Sequence, residues 1–138
     1  AEEGREGDAY QEYDQEAEIE NTRIEIEARY LEAFENIEVD AAAQIDGLIE
    51  EAKSEYFSMD EDDRDITFKL SLAQKYLKEG NELEEKVDDT FYTALESFRQ
   101  ELLDAGIDDS AADEAETEYK ARKSERRKEL LSKAMDNM

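Results

Sequence analysis

The chain has 138 residues, of which 42 are Asp or Glu and 17 are Lys or Arg, so its formal net charge is −25 at pH 7. It contains no Pro, Cys, His or Trp. These absences exclude disulfide bonds, thiol nucleophiles, thiolate metal sites and every site that depends on an imidazole. The length suits one domain, and the excess of carboxylates argues against direct binding to nucleic-acid phosphates.

Residues 13 to 57 are predicted to form one long helix, preceded by a mobile acidic lead over residues 1 to 12. The lead holds two Gly and six charges. In the helix, apolar side chains recur at steps of three, four and seven residues, which keeps them on one face. They are Ile19, Ile26, Tyr30, Phe34, Ile37, Ala41, Ile45, Leu48, Ala52 and Tyr56. This periodicity predicts order, although a mean hydropathy of −0.97 together with high net charge is typical of disordered chains.

A second helix is predicted over residues 60 to 105. Ser58 and Glu61 have the spacing of a capping box, and the acidic run that follows suits the positive end of a helix dipole. Its apolar face comprises Ile66, Leu70, Ala73, Leu77, Leu83, Val87, Phe91, Ala94, Phe98 and Leu102. Gly80-Asn81 would normally end a helix, but the angular phase agrees on both sides. The sequence therefore predicts an unbroken helix that Gly80 weakens by about 1 kcal/mol.

A third, shorter helix is predicted over residues 110 to 135. Gly106 suits the left-handed position that follows a helix, with Ile107 placed for the accompanying apolar contact. Ser110, with Asp113 three residues later, fits a helix start. The apolar face of this helix is thin, since Tyr119 and Leu130 are its only large members among several Ala.

The predicted fold class is all-α: a long antiparallel, coiled-coil-like hairpin with a shorter third helix, forming an elongated three-helix bundle over residues 13 to 138. A reversal at Ser58 is expected to pair the two long helices along their whole apolar faces. The expected neighbours are Leu70 with Ile45, Leu83 with Phe34, Val87 with Tyr30, Leu95 with Ile24, Phe98 with Ile19, and Ile66 with Ile49 and Ala52.

Residues 120 to 133 carry seven cations and two carboxylates. One interpretation is a docking patch, built on Arg122, Arg126 and Arg127, for an acidic protein or an anionic membrane surface. The alternative is that these cations neutralise the second helix. If the chain turns back near Asp108, Arg127 faces Asp89 and Lys128 faces Asp88.

An exposed apolar patch is expected at Phe57, Phe68 and Leu72. These residues lie off the main apolar faces, near the predicted hairpin turn, and the third helix is too short to reach them. Exposed apolar patches often mark contacts with partners. The alternative is that they are isolated surface residues or are covered by the tail.

No catalytic, cofactor or metal site is expected. A calcium-binding EF-hand loop starting at Asp60 would need Gly at its sixth position and Glu at its twelfth, where the chain has Asp65 and Ser71. An active site would have to be built from carboxylate, Lys, Tyr and Ser groups alone.

The sequence thus favours a non-enzymatic helical module that spaces, scaffolds or presents a surface to a protein partner or to a second copy. Two alternatives remain: an acidic inhibitor that imitates nucleic acid, and the extracytoplasmic domain of an envelope-anchored protein. No transmembrane segment is expected in this chain. A small residue followed by Glu2 and Glu3 fits the mature end left by signal cleavage as well as an arbitrary boundary, so extracytoplasmic and cytoplasmic locations both stay open.

Overall fold

A computed structural model describes residues 2–136. It contains three α-helices, α1 (Glu2–Ser58), α2 (Ile66–Asp104) and α3 (Ser110–Asp136), with a single 3₁₀ turn (Glu61–Asp63) between α1 and α2. Within those residues there is no strand, so the predicted all-α fold with a long helix pair is confirmed. Helix α1 begins at Glu2 rather than near residue 13. The mobility predicted for residues 1 to 12 stays a prediction, and Ala1 lies outside the described residues.

The connection between α1 and α2 differs from the prediction. Ser58 is the last residue of α1, and its hydroxyl donates to the Glu55 carbonyl oxygen (2.8 Å) instead of capping α2. The cap of α2 is Asp65, whose carboxylate accepts the Phe68 N–H at 2.8 Å. The capping box assigned to Ser58 and Glu61 is therefore wrong. Ser and Asp cap helices equally well, so the choice depended on where the chain turned.

The register of the two long helices is also different. The Tyr30 ring lies 5.0 Å from Phe98, and the Phe34 ring lies 5.0 Å from Phe91. The predicted neighbours were Val87 and Leu83, so α2 is displaced by about two to three turns. The chain reverses over residues 59–65 instead of at Ser58. When the centre of the turn moves by one residue, the residue of α2 that faces a given residue of α1 changes by two. Four side chains expected in the core are exposed: Ile19, Ile24, Ile66 and Leu70.

Both glycine predictions for α2 are confirmed. The helix runs without interruption through Gly80. Gly106 has φ = +74°, its N–H donates to the Leu103 carbonyl (3.0 Å), and the Ile107 N–H donates to the Leu102 carbonyl (2.8 Å). These two bonds form a Schellman motif, which ends α2 and buries Ile107.

Helix α3 runs antiparallel to α2 and parallel to α1. Its parallel course is shown by the ion pairs from Arg122 to Glu35 and from Lys133 to Asp46, because each pair joins residues the same distance apart in the sequence. The main core lies where all three helices are present, hereafter the three-helix section. Its buried residues are Ile26, Phe34, Ala41, Val87, Phe91, Leu95, Phe98, Leu102, Ile107, Ala112, Ala115 and Tyr119. Of the helices described, none is long and apolar enough to span a membrane.

Candidate functional site

A buried ionic cluster holds α3 against the hairpin. Arg126 Nε and Nη2 donate to the two oxygens of Glu84 at 2.9 and 3.0 Å, and Nη1 donates to Glu38. The side chains of Arg126 and Glu84 are only 6% and 7% exposed. Burial alone would lower the pKa of Arg126, but its hydrogen bonds to both carboxylates outweigh burial and raise that pKa. Each of the three helices thus contributes one member of this Arg126 cluster, which fixes their relative register.

A second polar contact lies one to two turns earlier in α3. Tyr119 donates its hydroxyl to Asp88, and Lys123 Nζ binds the other oxygen of Asp88 at 2.7 Å. Burial alone would raise the pKa of Asp88, but these hydrogen bonds outweigh it and lower the pKa of the carboxyl. Burial and the bond to Asp88 raise the pKa of Tyr119, whose ring stacks on Phe91 at 3.8 Å.

Near its C-terminal end, α3 inserts Leu130 over Gly80. Leu130 packs with Ile45 and Ile49 of α1 in a small buried cluster. A Cβ added to Gly80 would lie 2.6 Å from Leu130 Cδ2. The glycine that was expected to weaken α2 is therefore a place where a side chain of α3 packs directly on its backbone.

These contacts decide between the two interpretations of the basic segment. Arg126 is buried, so its assignment to a docking surface is corrected. Arg122 binds Glu35 and Glu118 at 3.1 and 2.9 Å, while exposed Arg127 makes a long bond to Asn81 at 3.4 Å. The alternative interpretation expected these cations to neutralise α2; in the structure Lys123 and Arg126 pair with α2, and Arg122, Arg126 and Lys133 pair with α1 as well. The expected pairs of Arg127 with Asp89 and Lys128 with Asp88 are wrong, because the chain turns about one helical turn earlier than Asp108.

The apolar patch predicted near the turn is only partly exposed. Phe57 is 59% exposed, and half-buried Phe68 stacks its ring on Tyr56 at 6.4 Å. Leu72 is 5% exposed, so its assignment to the patch is wrong. Leu72 and Tyr76, which are one helical turn apart, both face α1. The Tyr76 hydroxyl donates to Glu55 at 2.7 Å.

The exposed apolar surface near the turn instead includes Ile66 (76% exposed) and Leu70 (59% exposed) of α2. Ile66 lies five turns before Glu84, and on α1 Tyr56 lies five turns after Glu38. Both therefore continue the faces that bind Arg126. The surface made by Ala52, Tyr56, Ile66, Leu70 and Ala73 is called the open slot, because it prolongs the seat of α3 beyond the end of that helix.

The open slot is a shallow apolar groove. The part beside the end of α3 is lined by Leu48, Ile49, Ala52, Lys53, Tyr56, Leu72, Ala73, Tyr76, Leu130 and Lys133, and encloses about 30 Å³. Small-molecule sites typically enclose about 300–1,000 Å³. The groove therefore suits side chains inserted from a neighbouring helix better than a metabolite.

Arg64 links the turn beside the open slot to the last turn of α1. Its guanidinium donates to the carbonyl oxygens of Met59 (3.0 Å) and Phe57 (3.3 Å), the latter within the last turn of α1. It also lies over the rings of Tyr56 and Phe57, at 5.1 and 5.2 Å. A cation at a helix C-terminus interacts favourably with the negative end of the helix dipole, so Arg64 stabilises the C-terminal end of α1.

The carboxylates of the acidic turn do not form a metal-binding cluster among the described residues. Among the side chains that the structure describes, no group of three or more acidic residues converges on a point that could hold a metal ion. Comparison of the chain with protein-family models, with curated proteins and with solved structures found no match.

Proposed function

We propose that the protein is a non-enzymatic helical interaction module, in which the three-helix section is a rigid support and the open slot is the surface offered to a protein partner. The observation that carries this proposal is the exposure of Ile66 and Leu70 on the same face that α3 covers further along the bundle. Apolar side chains grouped at the end of a groove are typical of contact sites.

The contrast with the rest of the surface supports the proposal. Other exposed apolar residues, such as Ile24 and Val39, lie on α1 away from this groove. Isolated residues of that kind are normal on protein surfaces. In the open slot, by contrast, Ala52 and Tyr56 of α1 and Ala73 of α2 line a preformed groove beside α3.

Site-specific photo-crosslinking tests this function. A photoreactive amino acid is placed at Leu70, inside the open slot, or at Val39, which is equally exposed but lies outside it. We expect a discrete adduct with another protein, in extract of the source cells, from position 70 and none from position 39. The same adducts from both positions, or none from either, would contradict the proposal.

A further inference from the structure

Resting on the proposed function, we infer that the open slot takes a basic amphipathic helix of the partner protein, laid end to end with α3.

The slot continues, past Asp136, the surface on which α3 lies. Because α3 runs parallel to α1 with constant spacing, its last described residue, Asp136, lies level with Ile49. Tyr56 lies seven residues further along α1, which corresponds to about 10 Å of helix. About two turns of an added helix would therefore cover the slot, with apolar side chains spaced three or four residues apart.

Helix α3 shows which chemistry this groove accepts. It places Leu130 in the groove and pairs Arg122, Lys123, Arg126 and Lys133 with carboxylates of α1 and α2. Those carboxylates flank the groove on both sides. Along most of the groove between α1 and α2, the helix that lies there thus has one apolar ridge and cationic flanks.

The outer end of the slot has the same charge preference. The turn there carries exposed Asp60, Glu61, Asp62 and Asp63, and none of these four pairs with a cation in the described part of the chain. The one cation of the turn, Arg64, is engaged with carbonyl oxygens and aromatic rings. Lys or Arg on an incoming helix would meet these carboxylates, whereas a second copy would bring the same acidic turn against them.

The test uses stapled helical peptides of about three turns as probes. One has a Leu ridge with Lys and Arg flanks, a second has the same ridge with Glu flanks, and a third has the composition of the first in scrambled order. Binding is measured by fluorescence anisotropy to the full chain and to two matched variants, Ile66→Glu/Leu70→Glu and Ile24→Glu/Val39→Glu. Both variants replace two exposed apolar residues and add the same charge, so only the position differs.

We expect the basic ridge peptide to bind at least about tenfold more tightly than the other two peptides. The slot variant should lose about tenfold in affinity, and the control variant should bind as the native chain does. Equal binding of the scrambled peptide, equal weakening in both variants, or tighter binding of the acidic peptide would overturn the inference.

Two further outcomes separate this inference from the function on which it rests. If no peptide binds but position 70 still crosslinks to a protein, the charge assigned to the partner is wrong and the interaction surface stands. If sedimentation shows that the chain self-associates, and Ile66→Glu/Leu70→Glu abolishes the association, the occupant is a second copy and the inference fails.

Discussion

The three-helix section and the hairpin end beyond α3 are built from the same two helices, yet they differ in what covers them. In the three-helix section, Phe91, Phe98 and Leu102 are at most 2% exposed. Beyond the end of α3, Ile66 and Leu70 occupy equivalent positions on α2 and remain exposed. One amphipathic face can therefore serve as core where a third helix lies against it and as surface where, among the described residues, none does.

The largest expected difference between the two regions is the cost of truncating an apolar side chain. Phe98→Ala removes a ring that is 1% exposed and should lower the free energy of unfolding by about 3–5 kcal/mol. Ile66→Ala removes a side chain that is 76% exposed and should change it by less than about 0.5 kcal/mol. Urea unfolding of both variants measures this. A large loss from Ile66→Ala would show that the open slot belongs to the core.

Removal of the buried cation should be nearly as costly. Arg126→Ala leaves Glu84 and Glu38 buried without their partner, so the free energy of unfolding should fall by about 3–5 kcal/mol. The control replaces all three charges, as Glu38→Leu/Glu84→Leu/Arg126→Met, and should recover most of that loss. If the triple variant is as unstable as Arg126→Ala, packing of the Arg126 side chain rather than its charge is responsible.

A smaller effect is expected from two glycines. Gly47 is exposed, with no atom within 4 Å of an added Cβ, so Gly47→Ala should stabilise the protein by about 0.5–1 kcal/mol. In Gly80→Ala, the added methyl group meets Leu130 at 2.6 Å. Overpacking of this kind typically costs about 1–3 kcal/mol, which cancels or reverses the gain in helix propensity. Thermal unfolding compares the two, and equal stabilisation by both would contradict the close approach of α3.

An effect of similar size, but dependent on pH, is expected at Asp88. Its pKa is lowered in the folded state, so its stabilising contribution is complete above the unfolded pKa of about 3.9 and is lost as the pH falls through the lower, folded pKa. Asp88→Asn should therefore cost about 1 kcal/mol at pH 7, with the difference from the native chain shrinking below about pH 4. Unfolding midpoints at neutral and acidic pH measure it. A difference that stays constant with pH would show that the charge of Asp88 is not what stabilises the contact.

The sequence predicted the helices well because their periodicity and glycine chemistry are local. The unbroken helix through Gly80 and the left-handed conformation of Gly106 were both predicted correctly, but before Gly80 the buried side chains are Leu72 and Tyr76 rather than Leu70 and Leu77. The register was not local, since it depended on whether Ser58 or Asp65 capped α2, and both residue types cap well. An error of a few residues at the turn moved the partner of Phe34 from Leu83 to Phe91.

The candidate site depended on where the apolar face of α2 and the turn before α3 were placed. Leu72 was assigned to the surface, and Ile66 and Leu70 to the core, because the apolar face of α2 before Gly80 was taken to run through Ile66, Leu70 and Leu77. The Arg126 cluster was missed because the turn between α2 and α3 was placed about one helical turn too late, at Asp108. The alternation of acidic and basic segments nevertheless indicated that α3 pairs with the hairpin. The short third helix did predict exposed apolar residues near the hairpin turn, but not that Ile66 and Leu70 would be among them.

Native-state hydrogen exchange of backbone amides tests most directly the claim that α3 divides the hairpin into a covered core and an open end. We expect the amides of residues 84–98 to exchange only with opening free energies near that of global unfolding. Amides of residues 66–74 should exchange through local opening at clearly lower free energy, because one face of that segment lacks a covering helix. Uniform protection along α2 would contradict the account.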